Sequence, residues 1–404
     1  RSRFWGTPLP IWRNKEGTQT RCIGSVAELE AAIEESVAKG YMKESPYKGK
    51  EVDLHRPFVD DIILVAENGD KMFREPDLID VWFDSGAMPY AQWHYPFENE
   101  EIFKANYPAD FIAEGVDQTR GWFFTLHTLA VMLFDSVAFK NVIANGLVLD
   151  KNGNKMSKRL GNAVDPFKTL KEFGPDALRW YMLSNANPWD NLKFNKEGVV
   201  EVQRRFFGTL QNTYNFFALY ANLDDFAYDA AKVIPVNDRP ELDRWILSKL
   251  QSLIKETETA YENYDITPAS RAIMNFTVDQ LSNWYVRLAR KRFWRGDMNA
   301  DKQAAYETLY ECLEVIAGLM SPVAPFYSDW LYQNLTASLE NKALSVHLTD
   351  WKPSNEDLIN LPLENSMQLA QDISSLVHSL RKKERLKVRQ PLQKVLIPVL
   401  NEDT

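Results

Sequence analysis

Cysteine is nearly absent from this chain of 404 residues: there are two, Cys22 and Cys312. Two thiols so far apart in sequence make neither a disulfide framework nor a zinc pattern, and they point to a reducing compartment. Long apolar runs are missing as well. The longest, around residues 129–134, falls far short of the roughly 20 residues that span a bilayer. No secretory signal is visible. Positive charge is in deficit, with 47 Lys and Arg against 56 Asp and Glu for a net charge of −9. Over the whole chain that balance argues against a general nucleic-acid binder, because phosphate contacts need cations. The five histidines show no metal spacing, and there is no Walker A loop or dinucleotide glycine fingerprint. What is present suits packed cores: 45% hydrophobic, 12% aromatic and 25% charged residues, which excludes a disordered or fibrous chain. At roughly 150 residues per domain, the length suggests two or three domains. The chain opens Arg-Ser-Arg with no Met, already within a motif-like run, so it reads as part of a longer protein.

The texture changes near residue 195. Before it, Pro and Gly are frequent and short apolar stretches alternate with helical patterns. Residues 110–113 (DFIA) read as a buried strand, running into a turn at residues 114–118. Residues 121–135 read as an apolar helix and residues 141–149 as a second strand, ended by a turn at 150–154. Asp165-Pro166 reads as an N-cap followed by proline at the first helical position. Strand, helix, strand, helix in this order predicts a parallel sheet with crossover helices, whose ligands bind at the carboxyl ends of the strands. The turns after Ala113 and Leu149 are therefore the candidate sites. After residue 195, helical periodicities take over: Val199 to Phe217, Leu242 to Leu253, a helix opened by Thr267-Pro268, one through Cys312 and Leu319, and two more over about 326–335 and 364–384. The fold class is α/β followed by all-α, with the second part a helix bundle.

Two basic runs stand out from the acidic average. Residues 287–295 read RLARKRFWR, with Arg287, Arg290, Lys291, Arg292 and Arg295 and no acid. Residues 381–389 read RKKERLKVR. Either run could be an ordinary solvated helix face. Phe293 and Trp294 shift the first toward an RNA-contacting face, since aromatics stack on unpaired bases. Arg287, Arg290, Lys291, Arg292 and Arg295 are the candidate RNA contacts.

The most informative string is Lys155-Met156-Ser157-Lys158-Arg159, within DKNGNKMSKRLGN. Such a loop carries three cations and a hydroxyl between Gly153 and Gly161. It can fold over polyphosphate and stabilise charge developing on a pentavalent phosphorus. It resembles the KMSKS signature of class I aminoacyl-tRNA synthetases, with Arg in place of the last Ser. RFWGTPLPIW at residues 3–12 resembles a segment of that family's branched-chain and methionine group, and DVWFDSG at residues 80–86 and EGVDQTRGWF at residues 114–123 resemble segments of its isoleucine-specific branch, in the family's order and spacing. Residues 349–351 (TDW) and 388–392 (VRQPL) resemble later landmarks.

The resemblance implies a fold: the C-terminal half of a Rossmann-like class I catalytic domain with its KMSKS loop (1–195), a helix-bundle anticodon-binding domain (196–370) and the start of a junction region (371–404). It implies L-isoleucine, ATP with Mg2+ and tRNA(Ile) as partners, in a cytoplasmic monomer with no membrane. It also implies roles. Glu114, Gly115, Asp117 and Gln118 would hold the aminoacyl-adenylate. Trp82 and Trp122 would wall the side-chain pocket, their flat faces excluding water. Lys155 and Lys158 would act on the ATP phosphates within the loop Lys155, Met156, Ser157, Lys158 and Arg159. Glu114 and Asp117 could equally cap the following helix.

Three departures matter. The HIGH tetrapeptide and the editing domain, both upstream in the family, are not in this sequence, so the chain by itself is expected to form adenylate poorly. Some relatives carry Cys pairs flanking these motifs; here only Cys22 remains, and four thiolates make a closed structural site, so no zinc is expected. The competing readings are another aliphatic-amino-acid ligase, a non-catalytic RNA-binding module with a decayed nucleotide fold, and a purely helical scaffold. Trp82 and the EGVDQ turn disfavour the first, and the intact 155–159 loop disfavours the second.

Overall fold

The computed structural model describes residues 4–397, apart from the side chain of Lys158. Arg3 and the Lys158 side chain, both singled out above, lie outside the described set. The chain forms two compact units, Arg1–Gly146 and Leu147–Thr404.

The first unit opens with an arrangement that the sequence reading did not foresee. Four short strands, β1 (Ile11–Asn14), β2 (Thr20–Cys22), β3 (Ile63–Val65) and β4 (Lys71–Arg74), form an antiparallel sheet in the order β2-β1-β4-β3. Helix α1 (Val26–Ala38) is capped by the Ser25 hydroxyl, which accepts from the Glu28 N–H. Its Leu29, Ala32 and Ile33 pack with Trp12, Ile62, Leu64 and Met72 into one core. The buried Trp12 indole donates to the Ile62 carbonyl at 3.0 Å. Arg74 is also turned inward, where it meets Asp60 at 2.6 Å. Burial alone would raise the Asp60 pKa, but Arg56 and Arg74 hold it below the usual carboxylate value.

The rest of this unit is α2 (Val81–Ala91), α3 (Glu100–Asn106), β5 (Ala109–Gly115), α4 (Trp122–Phe134) and β6 (Phe139–Asn145). β5 and β6 are parallel, with Ala109 opposite Phe139 and Gly115 opposite Asn145. This is the expected strand–helix–strand crossover. The expectation that residues 110–113 are buried fails: Phe111 is 42% exposed and Val142, on β6, 48%. Apolar sequence alone cannot bury a strand. The described sheet here has two strands, and Leu126, Ala130, Ile112 and Phe139 form a small cluster that leaves much of both strands bare.

In the second unit, β7 (Val148–Leu149) pairs in parallel with β8 (Leu192–Lys193). The single predicted strand over 141–149 is thus two, broken at Gly146. Between β7 and β8 lie α5 (Pro166–Phe173) and α6 (Pro175–Asn185). Asp165 caps α5 as predicted, accepting from the Phe167 and Lys168 N–H groups. Next come α7 (Lys196–Val202), a π-helical stretch (Gln203–Phe207), α8 (Gly208–Leu223), α9 (Glu241–Glu262) and α10 (Ile266–Asn275). A second π-helical stretch (Phe276–Val286) leads into α11 (Arg287–Trp294), followed by α12 (Ala300–Met320), α13 (Pro325–Leu335) and α14 (Leu361–Lys383). One large core joins them, with Trp245, Ile246, Leu250, Ile273, Leu281, Tyr285, Leu309 and Leu313 all essentially inaccessible.

The compact division falls at Gly146, well before the change of texture at 195, because α6 belongs to the bundle core. Trp180 is fully buried there, 4.4 Å from Phe206 between ring centroids. Arg179 donates to the carbonyls of Val323 and Pro322, and Arg271 on α10 donates to those of Ser184 and Asn185. At Gly198 a Cβ would lie 2.4 Å from the Tyr181 ring, so only glycine lets α7 approach α6 this closely.

Candidate functional site

In the first unit the candidate residues gather where α2, the end of β5 and the start of α4 meet. Asp80 caps α2 by accepting from the Trp82 N–H at 2.7 Å. Gly86 is buried against α4, where a Cβ would sit 2.9 Å from Leu129 Cδ1. That glycine explains the end of the DVWFDSG string: it sets the closest approach of the two helices. The Trp122 indole donates to the Ser85 carbonyl at 2.9 Å and ties α4 to α2. Trp82 is 45% exposed and lies over Gly121, where a Cβ would be 3.1 Å from its ring.

The two tryptophans each line a shallow recess of this unit. Trp82 lines a shallow recess with Phe83, Gly121 and Phe124. Trp122 lines another with Met88, Ile112, Leu126 and Phe139. Glu114 and Gly115 end β5, and a short turn of 3-10 helix (Val116–Arg120) follows. The capping role weighed for Glu114 and Asp117 falls instead to Gln118, whose Oε1 accepts the Trp122 N–H at 2.9 Å. Asp117 accepts from the Gln118 amide. Both carboxylates stay exposed at the carboxyl end of a parallel strand, where ligands of such sheets bind.

The second unit holds the basic loop. Asp150 Oδ1 accepts from the N–H groups of Asn152 and Asn154, and Lys155 bridges back to Leu149. Met156 packs beside the small core of Ala177, Tyr181, Phe194 and Val199. Ser157 Oγ accepts from the Arg159 N–H, and residues 158–160 form one turn of 3-10 helix. Lys155 and Arg159 are exposed. The loop is therefore anchored through its methionine and backbone while two of its cations reach solvent.

Asn162 is the residue that the sequence reading missed. Its Oδ1 accepts from the Ser157 N–H at 2.8 Å, and its Nδ2 donates to Asp150 Oδ2 at 3.0 Å and to the Lys155 carbonyl at 3.3 Å. One side chain thus staples both ends of the loop. The signal lay in the string itself, an asparagine just after Gly161, a residue type that bonds nearby backbone readily. The Asn162 bond, then the Asn154 N–H, hold the Asp150 carboxyl below the usual carboxylate range. A depressed folded pKa keeps this anchor above the unfolded value and loses it as pH falls through the folded one. Asn162→Ala is expected to speed tryptic cleavage at Lys155, Lys158 and Arg159 several-fold, with the melting of the bundle unchanged. Equal cleavage rates would remove Asn162 from this role.

The basic run on α11 separates by face. Arg287, Arg290, Lys291, Trp294 and Arg295 are exposed, with the Arg290 guanidinium 5.7 Å from the Trp294 ring centroid. Ala289 and Phe293 point into the core, and Phe293 is fully buried. Arg292 also turns inward. It grips Asp243 with two 2.7 Å bonds and pairs with Asp301 at 3.0 Å. Arg292, expected as an RNA contact, thus faces inward with Phe293, because the helical repeat puts residues 289, 292 and 293 opposite residues 287, 290, 291 and 294. In the second run, Arg381 folds back onto the carbonyls of Lys387 and Gln390.

Residues 1–195 match the family model described as "tRNA synthetases class I (I, L, M and V)". Residues 243–396 match "Anticodon-binding domain of tRNA ligase". The chain belongs to the class I tRNA synthetases. It is 64% identical over 401 residues to the isoleucine–tRNA ligase of Cytophaga hutchinsonii, covering 99% of this chain and 36% of that one. It is 60% identical to the isoleucine–tRNA ligase of Bacteroides fragilis, covering all of this chain and 36% of that one. The class I chain described here thus spans about a third of the length of these relatives. Among solved structures, the LeuRS–tRNA–LeuAMS ternary complex of Agrobacterium radiobacter K84 matches with a TM-score of 0.61 at 21% identity, over 89% of this chain and 42% of that one. That likeness concerns the fold: a class I catalytic part followed by a helical anticodon-binding domain. Among the described residues of this synthetase chain, no helix is long and apolar enough to cross a membrane, and no three His, Cys, Asp or Glu side chains cluster to hold a metal ion.

Proposed function

We propose that this chain carries the KMSKS-type loop region and the anticodon-reading bundle of an isoleucine–tRNA ligase. The whole enzyme would join L-isoleucine to ATP as isoleucyl-AMP and transfer it to tRNA(Ile). The observation that carries this reading is the intact loop at residues 155–159, stapled by Asn162, in a chain 64% identical to a relative of that name. In the first step the amino-acid carboxylate attacks the α-phosphate of ATP, the bond to the β-phosphate breaks and pyrophosphate leaves. Both partners are already charged, so no general base is needed, and positioning with electrostatic stabilisation carries the step. Lys155, Lys158 and Arg159 would meet the phosphates, with Met156 and Ser157 shaping the loop. Glu114, Asp117 and Gln118 would orient the adenylate beside Gly115, and Trp82 and Trp122 would border the aliphatic side chain. The family uses ATP with Mg2+; no metal-ligand set is assigned among the described residues, and no zinc is proposed. A cytoplasmic monomer divided at 195 and 370 completes the reading.

For tRNA, the exposed α11 face is the proposed contact: Arg287, Arg290, Lys291 and Arg295, with Trp294 as a stacking surface. The test is binding of this chain to tRNA(Ile), beside a copy with an altered anticodon, at two salt concentrations. Tighter binding to the correct anticodon is expected. Replacing Arg287, Arg290 and Lys291 together by Ala should weaken binding and lower the slope of log affinity against log salt by about 2, at roughly 0.7 per single-strand phosphate contact. Equal binding of both tRNAs would leave only a phosphate-attracting surface.

A further inference from the structure

α12 contains one glycine, Gly318, within its last turn. Glycine destabilises a helix relative to alanine, and a close neighbour usually justifies it. Here there is none: a Cβ at 318 would meet no heavy atom within 4 Å. The bare backbone instead borders a recess of about 130 Å³ in the bundle. That is close to the size of cavities of about 150 Å³ that accept a benzene ring.

The recess is lined by both apolar and charged side chains. Val315 and Leu319 of α12 and the Trp351 indole line it. Trp351 stands edge-on to Tyr261, at 5.9 Å, and the Tyr261 hydroxyl donates to the Leu319 carbonyl. Lys352 Nζ lies 2.6 Å from Glu314 Oε2, and both line the recess together with Asp350. An ammonium has three donors and a carboxylate several acceptor sites, so this pair keeps bonding capacity after meeting itself. Two carboxylates against one ammonium oppose a phosphate or nucleotide. They suit a group that brings its own ammonium together with a carboxylate.

We propose that this recess binds a free α-amino acid with a compact apolar side chain. The side chain lies against the Gly318 backbone and Trp351, the α-carboxylate on Lys352, and the α-ammonium on Glu314 and Asp350. The site is separate from the α11 face and from the 155–159 loop, and it stands or falls independently of the proposed ligase reaction.

The test uses saturation-transfer NMR and calorimetry on the full 404-residue chain, with L-leucine, L-phenylalanine and carboxylate-free 2-phenylethylamine as probes. The parent should bind both amino acids. Gly318→Ala fills the open space with a better helix former, so its Tm should be unchanged or raised while amino-acid binding falls by about tenfold or more. Lys352→Met should weaken the amino acids by about tenfold, as loss of one charge-assisted contact implies, and leave the amine unaffected. Absence of binding by the parent, full binding by Gly318→Ala, a lowered Tm in that variant, or an amine bound as well as L-phenylalanine would each overturn the proposal.

Discussion

Arg292→Ala is expected to destabilise the helical unit by about 3–5 kcal/mol, the usual loss when one member of a buried ion pair is removed. Asp243 is completely inaccessible, and its carboxylate faces Arg292 and the Tyr285 hydroxyl, the latter at 2.7 Å. Burial opposes the Arg292 charge, yet Asp243 keeps the guanidinium firmly protonated. Burial and then the Asp243 charge push the Tyr285 hydroxyl well up, so it stays a neutral donor and brings no charge to balance the carboxylate. The truncated variant therefore strands an anion in the core. Arg287→Ala and Arg290→Ala, on the exposed face of the same helix, should change stability by less than about 0.5 kcal/mol. Urea unfolding followed by helical circular dichroism measures all three. A loss at Arg292 no larger than at Arg287 would disprove the assignment, and an Asp243→Asn/Arg292→Ala cycle should show coupling.

Trp180→Ala comes next, at about 3–5 kcal/mol for a large aromatic removed from a packed core. Trp180 is 0% exposed and stacks obliquely on Phe206, with Phe207 edge-on at 6.1 Å. Its indole N–H finds no acceptor among the described residues. Trp180→Phe should therefore cost much less than Trp180→Ala, since it loses volume without losing a hydrogen bond. Both variants should lower the melting of the whole helical unit rather than fray α6 alone, which thermal scans of helix content would reveal. A Phe variant as unstable as the Ala variant would mean that the indole nitrogen has a partner.

These two residues also mark where the sequence was readable and where it was not. The Asp165-Pro166 cap was legible because capping is decided within four residues. The bundle helices were legible because the 3.6 period repeats over many turns. The separation of Arg292 from Arg290 and Lys291 was half legible: period alone puts residue 292 off their face, but its partner Asp243 is 49 positions away. The antiparallel sheet was not legible, because strands of three or four residues in charged surroundings, such as Thr20–Cys22, carry almost no pattern. The exposure of β5 was misread for a different reason. An apolar strand declares that it can be buried, while burial itself is decided by neighbours. At the candidate site the motif strings located the right turns, but the tie from Asn162 to Asp150 and the shift of the cap from Glu114 and Asp117 to Gln118 depend on side-chain geometry that no string encodes.

Because α6 is held by Trp180 and Arg179 inside the bundle, the borders of kinship and of packing differ along this chain. A cut at residue 195, where the family match ends, would tear α6 out and open its socket to water. A cut at Gly146, where the compact units part, would leave that socket filled and the 155–159 loop on its own foundation. Anyone dividing this protein into pieces, or transplanting its helices onto another catalytic part, should carry residues 147–195 with the helices.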